Sequence, residues 1–457
     1  MSELGSAENP LKVAIVGSGP SGFYALEALL KSGKQVKIDM IERLPAPFGL
    51  VRNGVAPDHP KLKQAILVYE KIAESPNFAY FGNVTIGRDV TVDELRRLYH
   101  AVLFTCGAES DRKLGIPGED LKGSHTATEF VGWYNGHPDY RDRDFDLSGE
   151  IAVVIGQGNV AADVARILSK TVGELKSTDI AEHALETLGR SNIREIHVVG
   201  RRGPAQAKFT AKELREFGEL ADCAPVVKAE DLALNQESQT EIADKNNSGS
   251  ATNMKIFESF AAMAPSGKKR RCIFRFLEGP VRIEGGGKVE RLVLAKNRLE
   301  GAPFNQAARE TGDTVTQRCD ILFRSIGYKG VPLPGVPFDE RKGVFPNDEG
   351  RIKDSSGPVP GLYVAGWIKR GPSGIIGTNR ACAVGTVASL MADFPKMDSA
   401  PKPGGEGLRK LLAGRGTRVV TYPEWRRIDA AEIGRGQSKG KPREKFTRVA
   451  EMLSAIG

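Results

Sequence analysis

Two glycine-rich segments constrain the fold of this 457-residue chain more than any other feature. The first, GSGPSG at 17–22, follows the apolar run LKVAIV, and the second, GQGNVA at 156–161, follows IAVVI. Each segment then opens a run with helical periodicity. A glycine-rich turn between a buried strand and a helix is typical of a dinucleotide-binding βαβ unit, where the helix N-terminus faces a pyrophosphate. The sequence therefore predicts two such units.

The strands that follow these two cradles end in opposite charges. The run VKIDMI ends at Glu42, whose carboxylate can accept hydrogen bonds from both hydroxyls of an adenosine ribose. The run EIHVVG ends at Arg201 and Arg202, where a guanidinium can hold a 2′-phosphate that a carboxylate would repel. The first site therefore predicts FAD, and the second predicts NADP(H).

The cradle residues themselves are the next candidates for contacts with the dinucleotides. Their glycines allow a tight turn and a close approach of the backbone to phosphate. We expect the contacts to come from Gly17, Gly19, Pro20, Ser21 and Gly22 in the first cradle, and from Gly156, Gln157, Gly158, Asn159 and Val160 in the second.

A third informative block lies at 361–393, GLYVAGWIKRGPSGIIGTNRACAVGTVASLMAD. It predicts a strand, a Gly-Pro-Ser-Gly turn and a helix. A helix N-terminus in that position would face the edge of the flavin ring that becomes anionic on reduction. The alternative is a simple packing turn.

Composition limits the class of protein. The 40% hydrophobic content with 52 glycines suits large buried sheets. The N-terminal MSELGSAENP has no apolar core and no run of 18 apolar residues occurs, so we expect a cytoplasmic chain without a membrane segment. The five cysteines occur singly, which argues against CxxC dithiol reductases and against metal or iron–sulfur ligand sets. No nucleic-acid motif accompanies the net charge of +8.

Two similar apolar strands, YHAVLFTCGA (99–108) and CDILFRSIGY (319–328), suggest the borders between domains. We predict an α/β fold with two Rossmann-like dinucleotide-binding domains. The FAD domain would comprise 1–108 and 329–395, and the NADP domain, 109–328, would be inserted in it. Residues 271–297 predict an antiparallel meander, and 396–457 predict a linker and a helical tail.

Several longer segments resemble adrenodoxin reductase and its bacterial ferredoxin-NADP reductase relatives. They are LPAPFGLVRNGVAPDHPKLK (44–63), FGNVTIGRDV (81–90), GQGNVAADVAR (156–166), VGRRGPAQAKFTAKELRE (199–216), VAGWIKRGPSGIIGTN (364–379) and YPEWRRIDAAEIGRGQSKGKPREK (422–445). The resemblance spans the whole chain. It implies a glutathione-reductase-like fold and electron transfer from NADPH, through noncovalent FAD, to an iron–sulfur ferredoxin.

The resemblance also implies roles for individual residues. It makes His59 and Glu216 neighbours of the nicotinamide and flavin rings, where they would tune rates of hydride transfer. From the residues alone, His59 could equally be structural, and Glu213 and Glu216 could form a solvated helix face. The resemblance assigns to FAD the residues Ser21, Glu42, Leu50, Val90, Trp367, Gly374, Ile375 and Ile376, and to NADP the residues Gln157, Gly158, Asn159, Val160, Arg201, Arg202, Glu213 and Gly374.

The partner expectation rests on charge. A net charge of +8 and the basic run 268–271 would complement an acidic ferredoxin, although such a run is also typical of a solvated loop. Two other functions stay open at this point. One is a flavin-dependent reductase of quinones, dyes or oxygen, and the other is a noncatalytic NADP(H)-sensing protein.

Overall fold

The structure, a computed structural model, describes residues 3–264, 266–374 and 376–457. The strands of these ranges, numbered along the chain, are β1 (Leu11–Val16), β2 (Val36–Ile41), β3 (Phe78–Phe81), β4 (Ala101–Phe104), β5 (Ser110–Asp111), β6 (Ser124–Thr126), β7 (Ile151–Ile155), β8 (Glu195–Val199), β9 (Cys223–Val226), β10 (Arg270–Arg275), β11 (Glu278–Glu284), β12 (Arg291–Glu300), β13 (Ala307–Arg318), β14 (Ile321–Arg324), β15 (Tyr328–Lys329), β16 (Asn347–Asp348), β17 (Arg351–Asp354) and β18 (Gly357–Val364).

The α-helices are α1 (Pro20–Leu30), α2 (Gly49–Asn53), α3 (Pro60–Lys63), α4 (Ala65–Ala73), α5 (Val92–Leu98), α6 (Ala127–Tyr134), α7 (Asn159–Ser169), α8 (Val172–Leu175), α9 (Glu182–Gly189), α10 (Ala211–Glu219), α11 (Gln236–Ala243), α12 (Ser248–Ala261), α13 (Trp367–Arg370), α14 (Ile376–Asp393), α15 (Gly405–Gly414), α16 (Tyr422–Gln437) and α17 (Val449–Ser454). Short 3-10 helices cover Pro138–Tyr140, Pro204–Gln206, Ala229–Leu232, Lys245–Asn247 and Phe394–Lys396. In the described ranges, none of the helices combines the length and the apolarity needed to cross a membrane.

The first sheet draws its strands from both ends of the chain. Its order is β16-β17-β18-β4-β1-β2-β3, and the pairs from β18 to β3 are parallel. Along β1, Val13 and Ile15 enter one apolar cluster, while Ala14 and Val16 enter another on the opposite face. Both faces are therefore covered, as parallel sheets require.

The second sheet has six parallel strands in the order β6-β14-β7-β8-β10-β9. Apolar clusters again cover both of its faces, since Val154 lies in one and Val153 in the other. The predicted fold class, an α/β chain with two Rossmann-like sheets, is confirmed. We refer below to each sheet with its packed helices as the first and the second unit.

The two connections between the units run side by side, because β5 pairs with β15 in a short antiparallel ladder. Residues 109–328 remain our proposed limits for the inserted domain.

The predicted meander over 271–297 is partly wrong. Strand β10 belongs to the second sheet, where its buried Cys272 pairs in parallel with both β8 and β9 and its buried Phe274 pairs with β8. The antiparallel meander consists of β11, β12 and β13, and so extends to Arg318. The sequence did not indicate β13 because its side chains are mostly polar and exposed, which leaves no apolar alternation.

The C-terminal tail packs against both units through α16 and the segment that follows it. Trp425 is buried and meets the Phe48 ring edge-on at 5.9 Å. Arg52 of the first unit donates to Glu432 at 2.6 and 2.8 Å, and both side chains are buried. The Lys445 ammonium donates to the Arg52 carbonyl at 3.0 Å and pairs with Asp179 of the second unit at 3.2 Å. The tail therefore joins the two units through buried charges.

Replacing Glu432 with glutamine is expected to destabilise the protein by about 3–5 kcal/mol, because it leaves the buried Arg52 guanidinium without its counter-charge. The midpoint of urea unfolding measures this loss. The matched control is Asp142→Asn, which breaks the exposed ion pair with Arg448 and should leave the midpoint unchanged. Equal shifts in the two variants would contradict the importance of the buried pair.

A second buried acid, Asp39 on β2, faces the N-terminus of α15 at Gly405. Burial raises the pKa of Asp39 to about 6, although the Tyr99 hydroxyl, Arg409 and Lys12 oppose the shift. Because the folded pKa lies above the ordinary value, the stability that Asp39 supports is complete below about pH 4 and is lost as the pH rises through 6.

Asp39→Asn is therefore expected to match the wild type at about pH 3.5 and to exceed it at pH 8 by up to about 3 kcal/mol, at roughly 1.4 kcal/mol per pKa unit. Urea unfolding at the two pH values checks this. A difference that does not change between the two pH values would show that Asp39 is not the titrating group.

Candidate functional site

The first glycine-rich segment forms an open cradle between β1 and α1. Gly17 has a φ of +104°, and a Cβ on Gly22 would clash with the Gly17 carbonyl, so both positions need glycine. Gly19 has open space where its Cβ would lie, and it caps α1 without a side-chain hydrogen bond. Pro20 follows as the first helical residue. Pro20 has no N–H, and the Gly22 N–H donates to the Gly19 carbonyl at 3.0 Å, so the start of α1 offers a phosphate the Ser21 N–H and the positive end of the helix dipole.

Glu42 lies just beyond β2, beside this cradle. Its Oε2 accepts from the Ser18 N–H at 3.1 Å and the Ser18 hydroxyl at 2.6 Å, and its Oε1 accepts from the Leu44 N–H at 3.1 Å. A carboxylate offers about four acceptor positions, so three are already used within the chain. Glu42 can accept one more donor directly, and a second only if the Ser18 hydroxyl turns away.

The third block meets the first cradle directly. Gly366, between β18 and α13, has a φ of +80°, and a Cβ there would clash with the Ser21 hydroxyl. That hydroxyl donates to Asn379 Oδ1 on α14 at 3.1 Å. The N-terminal ends of α1 and α14 therefore lie close together, as a site for one extended ligand requires.

Trp367 and the turn after it line the same region. The Trp367 indole donates to the Ser373 carbonyl at 3.2 Å, and its ring stacks on Tyr328 with centroids 5.7 Å apart. Gly374 has a φ of +84°. Ile376 begins α14 and packs on the first-unit core, whereas Ile375 lies outside the described residues.

Two of the expected FAD contacts differ in exposure. Leu50 on α2 leaves 48% of its surface exposed. The Val90 side chain is fully buried in the core cluster that contains Val16 and Phe81. Only the backbone of Val90 can therefore face a ligand.

The second cradle repeats the geometry of the first. Gly156 has a φ of +134°, and a Cβ on it would clash with the Ser325 carbonyl. Gly158 has open space at its Cβ position and precedes α7. Ala161 is fully buried, so it provides the close packing that a third glycine gives elsewhere.

The remaining residues of this cradle are anchored within the second unit. Gln157 donates through Nε2 to the Arg275 carbonyl at 2.9 Å. Asn159 Oδ1 accepts from the Thr210 N–H at 2.8 Å, and Val160 packs against the core. These contacts direct the side chains of Gln157 and Asn159 into the protein, so the backbone is what the cradle presents.

Arg201 and Arg202 follow β8 at the same edge of the sheet. Their carbonyls accept from Asn297 Nδ2 at 3.1 Å and from the Leu277 N–H at 3.0 Å, which fixes the backbone. Neither guanidinium forms an ion pair with another described residue. Both charges are available to an anionic ligand.

The basic run 268–271 is engaged within the second unit. Lys268 donates to the Leu220 carbonyl at 2.6 Å, Arg270 donates to three carbonyls, and Arg271 pairs with Glu195. The run also leads into the N-terminal end of β10. Both cradles, by contrast, follow the C-terminal ends of their strands. It is therefore a poor candidate for a partner surface near the cradles.

His59 meets the two expected glutamates where the units join. The ring is buried, and its Nε2 lies 2.8 Å from Glu216 Oε2 and 3.4 Å from Glu213 Oε2. His59 precedes α3 in the first unit, whereas both glutamates lie on α10 of the second. Three residues selected from distant parts of the sequence thus form one site.

The chain is similar to several characterised reductases over nearly its full length. It is 45% identical to NADPH-ferredoxin reductase FprA of Mycobacterium tuberculosis over 457 residues, covering 97% of this chain and 98% of FprA. It is 44% identical to the mitochondrial NADPH:adrenodoxin oxidoreductase of Arabidopsis thaliana (98% and 96% covered) and 42% identical to that of Homo sapiens (98% and 93% covered). The structure of M. tuberculosis FprA in complex with NADPH superposes with a TM-score of 0.93 at 44% identity, covering 98% of this chain and 100% of that one.

This chain belongs to the NADPH-ferredoxin and adrenodoxin reductase family. The resemblance stated from the sequence is confirmed, and the chain is an oxidoreductase, so the noncatalytic alternative is wrong. No protein-family model matches the chain.

In this reductase, a further residue connects the members of the His59 site. Arg166 on α7 is fully buried. Its guanidinium donates to Asp58 at 2.7 and 3.1 Å, to Asp163 at 2.6 Å and to Glu213 at 3.0 Å. Its Nε also lies 3.4 Å from Glu216 Oε2. One cation therefore contacts four carboxylates from three segments of the chain.

Asp58 and Glu216 are the acids of this cluster that ionise most easily. Although burial alone would raise the pKa of Asp58, hydrogen bonds and charges from Arg166 and Lys170 hold it below its usual range. At Glu216, too, burial alone would raise the pKa, but the hydrogen bond with His59 and the positive charge of Arg166 lower it.

The other two acids of the cluster have higher pKa values. Burial raises the pKa of Asp163, and burial together with the Asp163 charge raises that of Glu213. The site therefore separates its carboxylates into two kinds, and Glu216, the acid nearest His59 Nε2, is of the more readily ionised kind.

Two sets in this cluster have the spacing of metal ligands, Asp58-His59-Glu216 and His59-Asp163-Glu213. Every carboxylate in them contacts Arg166, whose positive charge provides the compensation that a metal ion would.

Sequence reasoning did not select Arg166. The signal that could have identified it is the spacing of Asp163 and Arg166, which places two charged residues on one face of a helix that is otherwise Ala- and Val-rich, with Lys170 just beyond its end. Asp58 was equally recognisable as the acid beside His59 in the PDHP segment.

Proposed function

We propose that the chain is an NADPH:ferredoxin oxidoreductase with noncovalently bound FAD. The observation that carries the proposal is the pairing of two open cradles with opposite charges, Glu42 beside the first and Arg201 and Arg202 beside the second, where neither arginine has an ion-pair partner among the described residues. Membership of the reductase family supports the same reaction.

The residues present fit FAD in the first unit. The open space at Gly19 and the uncapped start of α1 suit the pyrophosphate, and Glu42 retains an acceptor position for a ribose hydroxyl. Trp367 and Gly374 would border the flavin ring, next to the start of α14. When bound, FAD accepts two electrons from NADPH and can pass them on singly, which suits a one-electron iron–sulfur acceptor.

The second unit would bind NADP(H). Gly158 and the start of α7 would contact its pyrophosphate, and Arg201 with Arg202 would hold the 2′-phosphate. The known complex of M. tuberculosis FprA with NADPH supports this assignment.

His59 and Glu216 would adjust the reaction rather than enable it. Direct transfer from nicotinamide to flavin needs alignment of the two rings and little acid–base chemistry. The pair of buried His59 and partly exposed Glu216 would supply a fixed surface beside the rings at the junction of the two units.

The partner would be an acidic ferredoxin, because the chain carries a net charge of +8. The names of the relatives support an iron–sulfur protein as acceptor. The run 268–271 is not the surface we assign to it, since its side chains are used within the second unit.

Replacing Arg201 and Arg202 with glutamine should weaken NADPH binding by about 10- to 100-fold per arginine, with little effect on NADH, because a charged hydrogen bond contributes roughly 1.5–3 kcal/mol. Titration of the protein with each nucleotide measures both affinities. Arg309→Gln on the exposed β13 is the matched control and should leave both unchanged. Equal losses for NADPH and NADH would contradict the 2′-phosphate assignment.

The experiment that tests the whole function starts with the purified protein. Its absorbance spectrum should show bound flavin that denaturation releases. Anaerobic stopped-flow mixing with NADPH should bleach the flavin, and oxidised ferredoxin added next should be reduced more slowly at high salt than at low salt.

Three other results would overturn parts of this proposal. Protein without flavin would contradict the FAD site. Bleaching followed by electron transfer to quinones or dyes, but to no ferredoxin, would favour the alternative reductase. Ferredoxin reduction that is independent of salt would contradict an acidic partner.

A further inference from the structure

The His59 ring is contacted on both nitrogens by groups of fixed position. Nε2 lies 2.8 Å from Glu216 Oε2, and Nδ1 lies 3.5 Å from Arg166 Nη2. The ring and the guanidinium are both buried, so water does not compete strongly for these nitrogens.

These two neighbours require opposite roles from the ring. The two hydrogens of Arg166 Nη2 are donated to Asp58 at 3.1 Å and to Asp163 at 2.6 Å, and a guanidinium has no acceptor, so a proton on Nδ1 would point at a positive group. A carboxylate accepts, so the nitrogen that faces Glu216 donates. The arrangement is satisfied by a ring that carries a proton on Nε2 and directs Nδ1 towards Arg166.

Other charged groups near the ring either hold the Arg166 guanidinium or lie close to His59 Nε2 and Glu216. Asp58 and Asp163 hold the guanidinium in place at 2.7 and 2.6 Å, and Lys170 shares Asp58 at 2.7 Å. On α10, Glu213 lies 3.4 Å from Nε2, and Lys212 lies 3.9 Å from Glu216. Arg166 is the only one of these cations whose described contacts include the ring itself.

We propose that Arg166 is a positioning residue: it faces Nδ1 of His59 and so orients the ring with its Nε2–H donating to Glu216. The effect of Arg166 on electron transfer rests on the function proposed above, whereas the position of the ring proton does not. Arg166 also comes from α7, the helix that the second cradle opens, so it connects that cradle to His59 of the first unit.

The test compares Arg166→Lys with the wild type by nitrogen NMR of ¹⁵N-histidine-labelled protein, using His59→Gln to assign the ring. In the wild type, Nε2 should show the shift of a protonated nitrogen and Nδ1 that of an unprotonated one. The lysine variant keeps the charge but loses the planar fork, so the two shifts should move towards each other as the second tautomer becomes populated.

Two matched variants separate this role from a general loss of charge. Lys170→Gln removes another cation from Asp58 without touching the ring and should keep the wild-type shifts. Arg324→Lys alters a different buried arginine, paired with Glu119 at 2.5 Å, and should also keep them. Unchanged shifts in Arg166→Lys, or equal changes in Lys170→Gln, would overturn the proposal.

If Arg166→Lys does not fold, Asp163→Asn releases the same Nη2 group that faces the ring and should produce the same change in the shifts.

Flavin reduction by NADPH provides the second measurement, and we expect it to be about tenfold slower in Arg166→Lys, with NADPH affinity retained. A wild type that NADPH does not reduce would contradict the proposed function, and the NMR comparison would still decide the role of Arg166.

Discussion

The contacts of Arg166 and of Lys445 with buried carboxylates fix how the two units face each other. Each cation reaches side chains or carbonyls of both units, and each is almost fully buried. Burying such charges costs desolvation energy that their attraction only partly returns. What they provide is geometry, because a buried guanidinium or ammonium tolerates few arrangements of its acceptors.

The apolar core does not fulfil this joining role. The residues of each of the four apolar clusters come from one unit and from the chain segments that pack against that unit. The hydrophobic effect therefore stabilises the units separately, and the polar cluster around His59 forms where they meet. Interfaces between domains of one chain are commonly more polar than their cores. Here that polarity is concentrated at the candidate site.

The sequence predicted the features that depend on neighbouring residues. Both cradles and the charges after β2 and β8 follow from short patterns, because a turn and its helix are local structures. The contact of His59 with Glu216 spans 157 positions and came only from the resemblance. Arg166 was not predicted because its burial depends on Asp58 and Glu213, which contact it from other segments of the chain. Strand β13 was not predicted because its polar, exposed side chains show no alternation of apolar and polar residues. The assignments of residues to FAD and NADP remain predictions.

The two cradles differ in how far contacts within the protein already fix their charged side chains. Glu42 is held by Ser18 and Leu44, so the acid of the first cradle is already rigid before any ligand binds. The contacts that the described residues make with Arg201 and Arg202 hold their backbones, and none of these contacts orders the two guanidinium groups. A preorganised site loses little entropy on binding and favours tight retention, whereas ordering two long side chains weakens binding. This contrast is consistent with the function proposed above, in which a flavin dinucleotide would stay in the first unit and a nicotinamide dinucleotide would exchange in the second.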